Sequence, residues 1–261
     1  MEIPIHHLDA FVTDGVFTGN PAAVCPLREW LPDRVMQQIA TENNLSETAF
    51  LVGGNGVYRI RWMTPASEID LCGHATLASA HVVFTTLEPG RTEVRFDSQS
   101  GPLHVRAEGD RLVLDFPSRP PERVAANPAV GRALGRDPVE LLASRDYVAV
   151  FESADDVRAL APDMGLLRKL DKKAVIVTAA GSGEVDFVSR FFGPGYGIDE
   201  DPVTGSAHTN LIPYWAKRLG KSRLRARQLS PRGGELVCED LGERVAIGGR
   251  VAPYLEGILR I

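Results

Sequence analysis

Three short segments of the sequence combine acidic, thiol or imidazole side chains with residues that are typical of turns and helix starts. In the first, NLSETAF (44–50), Glu47 shares one face of an alternating strand with apolar neighbours. A carboxyl group in an apolar setting has a raised pKa, which suits it to act as a general acid and base. A carboxylate on a solvent-exposed edge strand is the simpler interpretation, and the residues alone favour it.

The second segment, DLCGHAT (70–76), lies where an apolar helix is predicted to begin. Gly73 lets the backbone approach a ligand closely, and the N–H groups at a helix start attract anions. His74 in the first turn can hydrogen-bond a substrate, and Cys72 beside the helix start can have a lowered thiol pKa. The structural alternative is a tight turn with Asp70 as the helix cap and a packed cysteine, and the residues alone do not separate the two.

The third segment, DEDPVTGSAH (199–208), places an acidic run that ends at Asp201 just before Gly205-Ser206 and a second apolar helix. Neighbouring carboxylates raise one another's pKa, and Gly205 with Ser206 offers a second anion-binding helix start that mirrors the first. The structural alternative is that one of these polar residues caps the helix. No metal site is predicted, because Pro202 interrupts the run and the spacing does not match a calcium loop.

The elements around these segments repeat along the chain. Each half has strands, an acidic loop, a glycine-started apolar helix and three short strands, with Gly73 and Gly205 at equivalent points. Helices are predicted at 32–44, 73–86, 128–134, 138–143, 162–170 and 204–219. The predicted fold class is α+β with two similar domains; a continuous α/β sheet is less favoured because the strands cluster in runs.

A proline-rich segment, 117–128, contains four prolines in twelve residues and is the predicted linker. It divides the chain into an N-terminal domain, 1–117, and a C-terminal domain, 118–251. We expect the tail, 252–261, to return and pair with the N-terminal domain.

Composition excludes several classes of protein. With 261 residues, 44% hydrophobic and 24% charged, the chain is neither disordered nor in need of disulfide support. A net charge of −5 without a basic stretch excludes nucleic acid and anionic membranes as expected partners. Three widely spaced cysteines and an N-terminus unlike a secretory signal predict a cytoplasmic protein. None of the glycine-rich turns matches a dinucleotide, phosphate-loop or nucleophile-elbow motif.

Four segments, taken together and in order, resemble the PhzF (phenazine-biosynthesis-like) family, a branch of the diaminopimelate-epimerase-like fold. They are HHLDAFVTDGVFTGNPAAV (6–24), NLSETAF (44–50), MTPASEIDLCGHATLASAHVVF (63–84) and DEDPVTGSAH (199–208). The resemblance implies two pseudo-symmetric domains, each a curved sheet or barrel around a central helix, with the active site in the cleft between them. It also implies a homodimer and the absence of any metal or organic cofactor.

The resemblance further implies roles for individual residues. The catalytic glutamate of the family falls on Glu47, and its supporting histidine, aspartate and serine fall on His74, Asp201 and Ser206. All four residue types are present, so the implied activity is that of an isomerase without metal or cofactor.

The expected reaction moves a proton between carbons of a small anionic carboxylate. Glu47 is the general acid and base, and backbone amides at Gly73 and Gly205 bind the substrate. One alternative is an amino-acid epimerase or racemase that uses Cys72, although the second thiol position of such enzymes falls on Asp201. The other alternative is a non-catalytic protein that binds small carboxylates.

Overall fold

The computed structural model describes every residue, Met1–Ile261, and contains two compact units. The first unit comprises Met1–Phe116 and Ile247–Ile261, and the second comprises Pro117–Ala246. Residues 247–251 therefore lie in the first unit, whereas the predicted bounds assigned them to the second. The reason is that the last strand runs antiparallel along the first strand of the chain, with Val251 opposite Ala10.

Eighteen strands and six helices follow one another along the chain. The first half has β1 (Glu2–Ala10), β2 (Asn20–Leu27), α1 (Asp33–Asn43), β3 (Glu47–Gly54), β4 (Val57–Met63), β5 (Glu68–Ile69), α2 (Gly73–Val82), β6 (Glu93–Ser98), β7 (Gly101–Glu108) and β8 (Arg111–Pro117). The second half has β9 (Glu122–Arg123), α3 (Pro128–Leu134), β10 (Glu140–Ala143), β11 (Tyr147–Val150), α4 (Ala154–Ala159), α5 (Met164–Leu167), β12 (Val175–Ala180), β13 (Phe187–Gly193), β14 (Ile198–Asp201), α6 (Gly205–Leu219), β15 (Arg223–Gln228), β16 (Gly234–Asp240), β17 (Arg244–Gly249) and β18 (Val251–Arg260).

The two units pair their strands in the same order. In the first, β1 is antiparallel to β2, β2 parallel to β3, β3 antiparallel to β4, β4 parallel to β6 and β6 antiparallel to β7. The second unit repeats this alternation of antiparallel and parallel pairs along β10, β11, β12, β13, β15 and β16. The short strand before each apolar helix, β5 or β14, folds back on β4 or β13. The shared order supports the internal duplication, and the strands are not closed into a barrel.

Helix α2 is buried on nearly every side, as its apolar sequence predicts. Its small residues let it pack closely against β1, β2 and β3. The hydroxyl groups of Thr76 and Ser79 donate to the carbonyls of Cys72 and Ala75 one turn earlier, which satisfies them inside the core. Beyond Val82 the helix widens into a π-helical turn, so the predicted helical segment is confirmed but not regular to its end.

Helix α6 continues through Pro213, which cannot donate to the carbonyl of Thr209 one turn earlier. The backbone N–H of Arg119 donates to that carbonyl instead, at 3.0 Å. The proline-rich segment of the second unit thus supplies the hydrogen bond that the helix lacks. The predicted helix at 204–219 is confirmed, and this partner satisfies the carbonyl that the internal proline leaves without a helical donor.

The predicted helix at 138–143 is wrong, because Glu140–Ala143 forms strand β10 between β9 and β11. Leu141 and Leu142 are both buried, and a two-sided ladder outweighs local helix preference. Helix α4 was not predicted, although Ser153 and Asp156 form a capping box at its start.

No helix of the chain is both long and apolar enough to cross a lipid bilayer. All three cysteines are buried and none forms a disulfide.

Candidate functional site

Glu47 and His74 form a buried contact in the first unit. The Oε2 atom of Glu47 lies 3.0 Å from Nε2 of His74, and the two residues are 5% and 4% exposed. Neither atom has another hydrogen-bond partner. The solvent-exposed alternative for Glu47 is therefore wrong, and the carboxyl group is placed to exchange a proton with a neighbour.

The strand order explains how these side chains meet. Glu47 begins β3, and Asn20 begins the neighbouring parallel strand β2, where Ala22 lies opposite Glu47. Helix α2 packs on both strands and carries His74 in its first turn. The Nδ2 atom of the fully buried Asn20 lies 3.2 Å from Nδ1 of His74. Asn20 was not predicted as a site residue; the available signal was a polar residue at the start of an apolar strand.

Cys72 completes this cluster on the other side of the imidazole. Its Sγ atom lies 3.5 Å from Nδ1 of His74, and the residue is the N-cap of α2. Burial, reinforced by the charge of Glu47, raises the pKa of the Cys72 thiol to about 11. The expected lowering of this pKa is wrong, because burial and the carboxylate outweigh the helix start.

His74 retains a proton more strongly than an ordinary histidine. Burial opposes a positive charge on the ring, but the facing Cys72 and Glu47 groups outweigh it and hold the pKa of His74 well above its usual value. The imidazole therefore holds its proton beside the Glu47 carboxyl group, in a place where both side chains are buried.

One group of side chains could hold a metal ion. Its members are Glu47, Cys72 and His74, whose ligand atoms lie within 4.8 Å of one another. A carboxylate, a thiolate and an imidazole are ligands that suit zinc. Binding would require the loss of the thiol proton and of the Glu47–His74 contact. The arrangement as it stands is suited to proton transfer.

In the second unit, the other predicted residues surround the start of α6. Asp201 is 8% exposed at the end of β14, and the hydroxyl of Thr204 donates to its Oδ2 atom. Gly205 and Ser206 form the first turn of α6, and the Thr204 side chain does not cap that turn. The N-cap residue of α2 is Cys72 and not Asp70, so capping by Asp70 is wrong.

His208, in the first turns of α6, provides a test of burial in this region. Its Nδ1 atom contacts the carbonyl of Thr204 at 2.8 Å, and burial lowers the pKa of His208 to about 4. Between pH 6.5 and about 4 the unfolded chain binds a proton that the folded chain excludes, so stability falls as the pH falls. We expect His208 to contribute about 3 kcal/mol to this loss.

The measurement is the free energy of urea unfolding of the parent and of His208→Gln from pH 7 down to about pH 4. The variant should lose less stability across this range. The same change at the exposed His104 is the control and should leave the slope unaltered. Equal slopes for the parent and His208→Gln would contradict the assignment.

Comparison with known proteins shows extensive similarity. The family model described as "Phenazine biosynthesis-like protein" matches residues 8–257. An uncharacterized isomerase of Pseudomonas aeruginosa is 52% identical over the whole of both chains. A human phenazine biosynthesis-like domain-containing protein is 38% identical over 99% of each chain.

Solved structures are also similar to this chain. A PhzF-family phenazine biosynthesis protein of Enterococcus faecalis has a TM-score of 0.96 at 49% identity, with both chains covered completely. A probable proline racemase of Agrobacterium radiobacter K84 has a TM-score of 0.66 at 10% identity, covering 99% of this chain and 92% of its own. The latter shows likeness of fold alone and confirms the predicted epimerase-like α+β class. The chain belongs to the PhzC–PhzF family of phenazine biosynthesis-like proteins.

Proposed function

We propose that this protein is an isomerase that moves a proton between two carbons of a small carboxylate substrate, with Glu47 as the general acid and base. The observation that carries the proposal is the buried contact of Glu47 Oε2 with His74 Nε2 at 3.0 Å. Membership of a family in which a P. aeruginosa relative is named an isomerase supports the reaction class.

In the first step, the Glu47 carboxylate removes a proton from a carbon next to a carbonyl or an unsaturated group. The electron pair of the broken C–H bond delocalises into that group, and Glu47 becomes a carboxylic acid. In the second step, Glu47 returns the proton to a different carbon on the same face. The substrate thereby isomerises with no net change in atoms, electrons or charge.

His74 supports both steps. Its Nε2 atom lies 3.0 Å from Oε2 of Glu47, and the raised pKa of His74 keeps a proton on the ring beside that oxygen. Burial of the pair slows exchange of the abstracted proton with water, so deuterium enters the substrate in a fraction of turnovers and accumulates over many. Backbone amides at Gly73 bind the substrate carboxylate in this proposal. The family resemblance implies supporting roles for Asp201 and Ser206, and the proposal keeps Asp201 as a catalytic residue that hydrogen-bonds the substrate. The backbone amides of Gly205 and Ser206 bind the substrate carboxylate in this proposal.

A thiol-based epimerase is disfavoured because the Cys72 thiol, with a pKa raised to about 11, is a poor base at neutral pH. We therefore expect Cys72→Ser to keep turnover within about tenfold of the parent, since the serine preserves the small polar side chain. Turnover is measured with Cys238→Ser, which removes a buried thiol in the second unit, as the control. A loss of about 10³-fold in Cys72→Ser alone would favour the epimerase.

The direct test is incubation with small unsaturated carboxylates and amino carboxylates in D₂O, followed by mass spectrometry. An isomerase should give a product of shifted double-bond position and should exchange substrate C–H for deuterium. A carboxylate-binding protein without activity should bind these compounds and incorporate no deuterium. That second result would overturn the proposal.

A further inference from the structure

Gln228, at the end of β15, is a buried polar residue that the sequence did not single out and that the proposed mechanism does not use. It is 1% exposed. The backbone N–H of Thr204 donates to its Oε1 atom at 2.9 Å. Because a backbone N–H can only donate, the amide oxygen of Gln228 must face Thr204 N and the amide nitrogen must lie on the other side. The orientation of the side chain is thus determined by an unambiguous donor.

The amide nitrogen of Gln228 uses both of its hydrogens. One is donated to the backbone carbonyl of Asp201 at 2.8 Å, and the other to Oγ1 of Thr204 at 3.1 Å. Since the Thr204 oxygen accepts from Gln228, its own hydrogen is directed to Oδ2 of Asp201. The three side chains form a chain of hydrogen bonds with one direction, from Gln228 through Thr204 to Asp201.

The same end of β15 holds the loop at a second point. The hydroxyl of Ser230 donates to the carbonyl of Pro202 at 2.7 Å. The loop between β14 and α6 is therefore held at three backbone atoms, the carbonyls of Asp201 and Pro202 and the N–H of Thr204.

We propose that Gln228 is a positioning residue that, through Thr204, keeps Oδ2 of Asp201 a hydrogen-bond acceptor. The inference rests on the proposed function to the extent that Asp201 contacts the substrate there. An Asp201 held in this way offers the substrate a carboxylate of fixed orientation. Loss of Gln228 frees the Thr204 hydroxyl to rotate, so Asp201 loses one of its hydrogen-bond donors.

Two titratable neighbours, Glu200 and His208, do not supply such a donor. Glu200, the preceding residue of β14, lies on the opposite face of the strand and is paired with Arg190 at 2.7 Å. His208 contacts the carbonyl of Thr204 and, with a pKa lowered to about 4, is neutral at physiological pH.

The test follows the Asp201 carboxyl carbon by NMR in ¹³C-aspartate-labelled full-length protein, with the signal assigned by its absence in Asp201→Asn. Gln228→Met keeps the length of the side chain and removes both donors, and Thr204→Val removes the hydroxyl without a change of shape. Both should raise the titration midpoint of Asp201 by about one pH unit. Thr204→Ser restores a hydroxyl and should keep the parent midpoint. Thr204→Val tests the bond from Thr204 to Asp201. If Gln228→Met fails to fold, Gln228→Leu, which also removes the amide, takes its place.

An unchanged midpoint in the folded variants would overturn the inference. A double-mutant cycle on turnover gives a second readout: Gln228→Met should lower activity in the parent but have little further effect in Asp201→Asn, because its role passes through Asp201. Additive losses would instead indicate a general structural role and contradict the proposal. The NMR titration needs no substrate. It therefore tests the role of Gln228 even if the proposed reaction proves wrong.

Discussion

Glu47→Gln is expected to reduce turnover and solvent-deuterium exchange by about 10²–10⁴-fold, because glutamine cannot accept and return a proton. The amide preserves the size of the side chain. In the parent, Oε2 of Glu47 lies 3.0 Å from Nε2 of His74, and the amide oxygen of the variant can take the same position. The loss should therefore appear in the rate and leave substrate binding nearly intact. The measurement is steady-state turnover together with deuterium incorporation followed by mass spectrometry.

Glu42→Gln is the matched control, because Glu42 is an exposed residue of α1 that lies close to Glu47 in the chain. It should leave turnover and thermal stability near those of the parent. If Glu47→Gln turned over substrate at the parent rate, another residue would have to be the base and the proposed function would be wrong.

Trp215→Ala is expected to lower the free energy of unfolding by about 3–5 kcal/mol, since it removes a large aromatic side chain from the core of the second unit. Trp215 is 2% exposed and stacks on Phe187 with ring centroids 5.8 Å apart. Its indole N–H donates to Oγ1 of Thr178 at 2.9 Å, which ties α6 to β12. The variant loses both the packing and this hydrogen bond.

The measurement is urea unfolding at neutral pH, followed by circular dichroism so that the loss of tryptophan does not affect the signal. Leu219→Ala is the control, because Leu219 ends the same helix and is 42% exposed. It should change the free energy of unfolding by about 0.5 kcal/mol or less. A loss below about 1 kcal/mol in Trp215→Ala would show that α6 is not anchored through this side chain.

The two buried helices were predictable because their sequences carry the evidence locally. The apolar run that begins at Gly73 has no polar face, so it can be stable only inside a protein core, and the run that begins at Gly205 is apolar over most of its length. The error at 138–143 had the opposite origin. Nothing in that short segment reveals that two other strands will pair with it, and pairing decides the conformation of Leu141 and Leu142.

The sequence by itself determined the types of the candidate residues and the presence of two helices that begin at glycine. It could do so because helix starts and apolar periodicity are local properties. The tertiary structure alone decided the environment of each group. Glu47 and His74 are far apart in the chain, and only the packing of α2 on β2 and β3 brings their side chains into contact. Burial in that packing raises the pKa of Cys72 instead of lowering it. A pKa depends on desolvation and on the nearest charges, and both are set by segments that lie far away in the sequence.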